Sequence, residues 1–176
     1  RYWRDWSSDV CSSDLTPWKG VQELIDHSGR YNRKLAIVGN GPLYNSLEQY
    51  AKKSNAPVTF FGEVSSKIVI EILLKSKIFV LNSAYEGLPH ALIEARALGV
   101  LSVACAETGS AEVIHDDIDG FLIRKDRNLD QTLMIAFTKY QESNEMQIKA
   151  QTDVRDRFEM ESNFLKILKV LDKQIL

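Results

Sequence analysis

The sequence predicts an α/β domain with a doubly wound, Rossmann-like parallel sheet. From Thr16 onward, short apolar runs bounded by turn residues alternate with amphipathic segments, as in a parallel sheet covered by helices on both faces. A chain of 176 residues, 44% hydrophobic and 26% charged, has the size and composition to bury one ordinary globular core. A helix precedes every strand that the pattern reveals, so the sheet is expected to lack its first strand.

The elements follow in order. Thr16 can cap a helix with Pro17 at its first position; Val21, Leu24 and Ile25 share one face, and Gly29 is the expected stop. Residues 34–38 read as a buried strand, followed by the turn Gly39-Asn40-Gly41 and a helix opening with Pro42. Residues 58–61 form the next strand, Ser65 or Ser66 caps a helix through Leu74, and residues 77–81 make a third strand. A helix over 88–98 stopped by Gly99, a strand over 101–104, a short helix over 110–114 and a strand over 120–123 come next. The remainder reads as helical.

Residues 1–15 stand apart. They show no helical or strand period and lack the layout of a secretory signal. The run WRDWSSDVCSSDL resembles a translated sequencing-adapter read, so residues 1–15 are read as a non-native segment and 16–176 as the domain. The alternative is a disordered tail, since its Ser/Asp content cannot build a core.

Charge and composition remove several function classes. With 22 basic and 24 acidic residues the formal net charge is -2, so no global basic field exists to hold nucleic acid or anionic lipid. No apolar run approaches the ~18 to 20 residues of a membrane span. Cys105 lies in an apolar run and reads as an inert thiol, and a reducing, cytosolic compartment fits. His27 and His115 read as isolated surface residues, and no His/Cys/Asp group has metal-ligand spacing, so no metal is implied.

The informative stretch is EGLPHALIEARALG, directly after the third strand, with Glu86 and Glu94 separated by seven residues. With a helix starting near Leu88, Glu86 lies in the loop at its positive end and Glu94 about two turns in. The N–H groups of Leu88, His90 and Ala91 point out of the helix start, while Pro89 has none, and such a start can cradle a diphosphate. Open α/β sheets bind ligands outside the carboxyl ends of their strands, where this loop falls.

This stretch resembles the donor-binding signature of the family-4 retaining glycosyltransferases, of GT-B fold. The resemblance extends from about Trp18 to the C-terminus through Lys19-Gly20, IVGNGP, FFGEV, IFVLNS, ETGSAEVI and DGFLI. It implies that Lys19 meets the donor diphosphate, that Glu86, the candidate catalytic residue, contacts the sugar, and that Glu94 holds the ribose hydroxyls. Gly87, Leu88, Pro89 and Ala91 belong to the same donor loop, and His90 is implied as a hydrogen-bond donor to the substrate rather than a general base. Gly62 and Val64 fall where the family's backbone meets the base, and Gly39 and Gly41 form a tight turn that either borders the donor or is purely structural.

Two residues depart from the family pattern: Ser110 stands where a second glycine is common after Gly109, and Arg96 where an apolar residue is common. An arginine usually found shortly before the lysine is not identifiable, because neither Arg1 nor Arg4 has the expected context.

The implied reaction transfers a sugar from a nucleotide-diphosphate sugar, with retention and without metal or cofactor, to a saccharide or lipid-linked acceptor. An N-terminal acceptor-binding domain or subunit is the expected missing partner, and in the full-length protein it could add peripheral membrane contact to a cytoplasmic location. Two alternatives stay open. One is a donor-binding subunit inactive without a separate acceptor subunit. The other is a dinucleotide-dependent oxidoreductase, suggested by Gly39-x-Gly41 and Glu63 but opposed by Tyr44, which takes the place of the third glycine. The closing helix, with Phe158, Phe164, Leu165, Ile167, Leu168 and Leu171, carries more apolar surface than a small sheet covers and is expected to expose an apolar strip.

Overall fold

The computed structural model describes residues 9–12, 14–142 and 144–158, with side chains from residue 14 onward. Six parallel strands carry the domain: β1 (Asp9–Ser12), β2 (Leu35–Val38), β3 (Val58–Gly62), β4 (Ile78–Leu81), β5 (Leu101–Cys105) and β6 (Phe121–Ile123). Their order is β3-β2-β1-β4-β5-β6. The chain thus builds outward from β1 in one direction, then returns beside β1 and builds in the other.

This corrects the expectation of a missing first strand. Asp9–Ser12 pairs in parallel with β2 on one side, from Asp9 opposite Leu35 to Ser12 opposite Val38, and with β4 on the other, from Asp9 opposite Ile78. Leu15, also assigned to the excluded segment, is fully buried. Backbone hydrogen bonds to two neighbours place such a strand without help from side-chain periodicity.

Alternation along the strands sends residues to two cores. Ala36, Val38, Phe79, Leu81 and Ala104 face α3 (Ser66–Lys75), α4 (His90–Ala97) and α6 (Glu145–Arg157), through Ile72, Leu73, Leu92, Ile93 and Val154. Leu35, Ile37, Ile78, Val80, Leu101 and Val103 face α1 (Val21–Tyr31), α2 (Tyr44–Lys53) and α5 (Leu129–Glu142), through Leu24, Ile25, Leu47, Leu133 and Ala136. Strands covered on both faces read as unbroken apolar runs, which is how β2 and β4 read.

Helix boundaries differ from the sequence reading for local reasons. Pro17–Lys19 forms a separate 3-10 turn, and α1 begins only after Gly20, whose φ of 57° turns the chain. α1 then runs through Gly29 and ends at Asn32, also left-handed at φ 49°. Pro42 lies in the turn before α2. Residues 109–112 form a 3-10 turn rather than a longer helix. Phe158 packs on the α4/α6 core, and the other five apolar residues expected at the C-terminus lie outside the described residues, as do Arg1 and Arg4. No helix among the described residues is long and apolar enough to cross a membrane.

Candidate functional site

The loops leaving β1, β2, β3 and β4 enclose one open cleft of about 610 Å³ at the carboxyl edge of the sheet. This is where the strand order reverses, so neighbouring loops diverge and leave a crevice. The cleft is lined by Lys19, Gly39, Val64, Glu86, Leu88, Pro89, His90 and Ala91 among the sequence-predicted residues.

Its loops are fixed by their backbones. Leu15 N–H donates to the Asn40 carbonyl at 2.9 Å, Leu43 N–H to the Leu15 carbonyl at 3.0 Å, and Gly39 N–H to the Gly62 carbonyl at 2.8 Å. Across the β1/β4 boundary, Ala84 N–H donates to the Trp18 carbonyl at 2.7 Å, and Asn82 Nδ2 to the Gly20 carbonyl at 2.9 Å. The approach at Gly20 is so close that a Cβ there would lie 2.4 Å from both Asn82 Nδ2 and the Asn82 carbonyl oxygen. Gly109 N–H donates to the Glu86 carbonyl at 3.1 Å, closing the loop from the β5 side.

Lys19 and Glu86, far apart in sequence, form an ion pair of 2.5 Å between Nζ and Oε1, each side chain 15% exposed. The residues that the resemblance assigns to diphosphate and sugar are therefore each other's partners in the cleft. α4 begins at His90 rather than Leu88, because Pro89 keeps an extended backbone (φ -82°, ψ 91°) as its N-cap. The Pro89 carbonyl accepts from Leu92 N–H at 3.0 Å and from Ile93 N–H at 3.2 Å, whereas no described carbonyl accepts from His90 or Ala91. Two N–H groups of the helix start thus remain available at the cleft wall.

Glu94 sits one turn inside α4 on the His90 face, half-buried, and does not line the cleft. Burial pushes its carboxyl up, and the nearby His90 offsets part of that rise. Among the described residues none donates a hydrogen bond to its carboxylate. Three expected glycines also stand outside the lining. Gly41 packs on the Leu15 backbone, where a Cβ would lie 2.6 Å from the Leu15 nitrogen; Gly62 (φ 65°) turns the chain after β3; and Gly87 meets Gly109, where an added Cβ would lie 1.7 Å from the Gly87 oxygen. Sequence reasoning missed Asp14, Val38, Asn40, Val69 and Leu81 as lining residues and named Glu63 only for the dinucleotide alternative. Only Glu63 had a positional signal, just past a strand end.

The other singled-out residues find structural roles. Cys105 is half-buried, its Sγ donates to Asn82 Oδ1 at 3.5 Å, and burial pushes the thiol up to about 11, leaving it unreactive. His27, expected at the surface, is buried, with Nδ1 2.7 Å from Asp130 Oδ1; burial lowers its pKa despite that carboxylate. Ser110 is fully buried, its N–H donating to Thr108 Oγ1 at 3.2 Å. Arg96 is also fully buried and donates to the Asp119 carbonyl at 2.9 Å, to Asp119 Oδ1 at 3.1 Å and to Asp153 Oδ2 at 3.4 Å.

His115 is exposed but not isolated: with Asp119 and Asp153 it forms a group whose ligand atoms lie within 4.8 Å of one another, which corrects the expectation that no such group exists. The Arg96 cation already bonds both carboxylates, which opposes a metal ion there, and none of the three lines the cleft.

Residues 10–153 match the family described as glycosyl transferases group 1, and the chain belongs to that family. It is 32% identical over 119 residues, 64% of this chain and 21% of the relative, to the Vi polysaccharide biosynthesis protein VipC/TviE of Salmonella typhi. It is 28% identical over 112 residues, 59% of this chain and 31% of the relative, to the lipopolysaccharide 1,6-galactosyltransferase of Escherichia coli K12. The chain spans between 21% and 35% of the length of the first three curated relatives.

Two solved structures share the fold. The catalytic domain of cholesterol-alpha-glucosyltransferase from Helicobacter pylori superposes with a TM-score of 0.73 at 18% identity, covering 85% of this chain and 98% of that one. Anabaena Alr3699/HepE in complex with UDP and glucose superposes at 0.74 and 22% identity, covering 96% and 48%.

Proposed function

We propose that the cleft binds a nucleotide-diphosphate sugar, and that within a longer protein this domain presents the sugar for transfer, with retention of configuration, to a saccharide or lipid-linked acceptor. The observation that carries the reading is the convergence of Lys19, Glu86 and the open start of α4 on one crevice at the strand-order reversal. Membership of a glycosyltransferase family supports it, as does the likeness in fold to a protein solved with UDP and glucose.

Sugar transfer needs the leaving diphosphate stabilised as positive charge develops at the anomeric carbon. The unbonded N–H groups of His90 and Ala91 supply fixed donors for the diphosphate, and Lys19 supplies the cation. Glu86 sits at the same point of the cleft, suited to the sugar hydroxyls and the developing charge. Glu94, one turn further into α4 and outside the cleft lining, is the residue the family resemblance gives to the ribose, and its unbonded carboxylate would accept from hydroxyls brought to it. Acceptor binding and completion of the reaction belong to residues beyond this domain.

Lys19 is held by Glu86, so a bare nucleoside diphosphate competes with that carboxylate for the ammonium. Glu86→Gln is therefore expected to tighten binding of a bare nucleoside diphosphate about tenfold, one charge-assisted contact being worth about 1.5 kcal/mol or more. The same change is expected to remove the extra affinity conferred by an attached sugar. Metal-free calorimetry with nucleoside diphosphates, nucleotide sugars and NAD tests this. Binding of NAD alone, indifferent to substitution at Lys19, Glu86 and Glu94, would refute the donor-site reading in favour of an oxidoreductase.

A further inference from the structure

We infer that Asn82 is the residue that positions Lys19 for a phosphorylated ligand, an inference that rests on the donor-site reading above. Lys19 closes the short turn Pro17–Lys19 after β1, and the carbonyls on either side of it are both tied to the loop leaving β4. The Trp18 carbonyl accepts from Ala84 N–H at 2.7 Å and the Gly20 carbonyl from Asn82 Nδ2 at 2.9 Å. Glu86, the ion-pair partner of Lys19, belongs to the same loop. The first tie runs backbone to backbone, but the second depends on the side chain at position 82.

The Asn82 amide is itself held. It is half-buried, and its Oδ1 accepts from Cys105 Sγ at 3.5 Å, which leaves Nδ2 directed at Gly20. Burial pushes the Cys105 thiol up to about 11, so it keeps the proton it donates across the neutral range. Gly20 completes the fit, because its left-handed φ of 57° and its missing Cβ are what allow the two segments to approach. Asn82 does not line the cleft. Its effect on a ligand therefore passes through Lys19, whose long, flexible stem places the ammonium well only if its backbone is fixed. A ligand that draws the ammonium away from Glu86 removes the side-chain restraint, and the two carbonyl ties then hold the lysine at the cleft.

The test measures binding of a nucleoside diphosphate and of the matching uncharged nucleoside to the full chain and to Asn82→Ala, Lys19→Ala and the double variant, with folding checked by circular dichroism. Asn82→Ala is expected to weaken diphosphate binding about fivefold, the worth of one neutral hydrogen bond, and to change nucleoside binding by less than about twofold. In the Lys19→Ala background the same change should cost nothing further, because a residue that acts through the lysine has nothing left to place. A merely structural Asn82 would weaken both ligands alike, with or without Lys19.

Equal diphosphate affinity in the wild type and Asn82→Ala overturns the inference, as does an equal loss for the nucleoside or a loss that persists undiminished without Lys19. If Asn82→Ala does not fold, Asn82→Ser, whose hydroxyl is too short to reach the Gly20 carbonyl, carries the same comparison, and failure of both to fold overturns the inference in favour of a purely structural role. Lys19→Ala and Glu94→Ala separate the two levels. If these weaken diphosphate binding while Asn82→Ala does not, the Asn82 inference fails alone. If none of the substitutions alters binding, or the wild type does not bind, the donor-site reading fails with it.

Discussion

Replacing Arg96 by Met should be among the most damaging single changes in the domain. The guanidinium is fully enclosed and Asp119 is 3% exposed, so removing the cation strands a buried carboxylate. Breaking a buried pair from one side costs about 3–5 kcal/mol, a large share of the roughly 5–15 kcal/mol that holds a domain of this size together. Asp119 would keep only its bonds from His115, one from the backbone N–H at 2.9 Å and one at Nδ1 at 2.8 Å. Neutralising both partners, as in Arg96→Met with Asp119→Asn, leaves no stranded charge and should cost at least about 1.5 kcal/mol less than Arg96→Met alone.

The pH dependence gives an independent sign. Burial pushes the Asp119 carboxyl up, but bonds from Arg96 and His115 outweigh it and hold the group below its ordinary value. Its contribution to stability is therefore present above the unfolded-state pKa and lost as pH falls through the lower folded value. Without Arg96 burial dominates, the folded value rises, and the variant's deficit should shrink between pH 7 and pH 4.5. Urea unfolding followed by circular dichroism measures both effects. A loss under about 1 kcal/mol at pH 7, or a deficit indifferent to pH and to Asp119→Asn, would refute the reasoning.

Two further outcomes are expected. Gly20→Ala adds a Cβ at 2.4 Å from the Asn82 backbone oxygen and at a φ of 57°, so it should cost more than about 1 kcal/mol in thermal or urea unfolding and weaken nucleoside diphosphate binding by shifting Lys19. Glu94→Gln removes a half-buried charge whose carboxyl is pushed up by burial; without nucleotide in solution the domain should gain up to about 1 kcal/mol, while nucleotide affinity falls. Wild-type nucleotide affinity should also fall as pH drops through that raised value, because the protonated carboxyl accepts from the ribose less well, and the Glu94→Gln affinity should be flatter over the same range.

What the sequence disclosed was what is encoded locally. β2, β4 and β5 are apolar runs buried on both faces, and their predicted edges fall within a residue of the observed ones. The Glu86-to-Glu94 stretch announced a loop and helix start because proline, glycine and the acidic residues lie in one short segment. Its helix begins two residues late because Pro89 stays extended, which spacing alone does not reveal. Gly29 reads as a stop, yet Asn32 ends the helix, while Gly29 lets Ala56 approach within 3.5 Å of where a Cβ would stand. β1 falls in the segment set aside for its lack of period and its adapter-like run; pairing with β2 and β4 is what places residues 9–12. The Arg96–Asp119 pair spans 23 residues and joins two elements that look unrelated until the sheet brings them together.

The same distinction explains why the site's residue types were legible and its electrostatics were not. Lys19, Glu86 and His90 each stood out through the resemblance of the segment that contains them and all line the cleft, but the balance of charge depends on four loops meeting at one edge of the sheet. Only there does Glu86 take Lys19 as its partner, and only there do Asp14 and Glu63 join the same wall. Those loops are tied backbone to backbone, so ligand affinity should respond to changes of charge more than to changes of side-chain size. A conservative size change at Val64 should then move diphosphate binding by less than about threefold, while removing the charge at Glu86 moves it by about ten. Comparable shifts from both kinds of substitution would mean that the loops rearrange on binding.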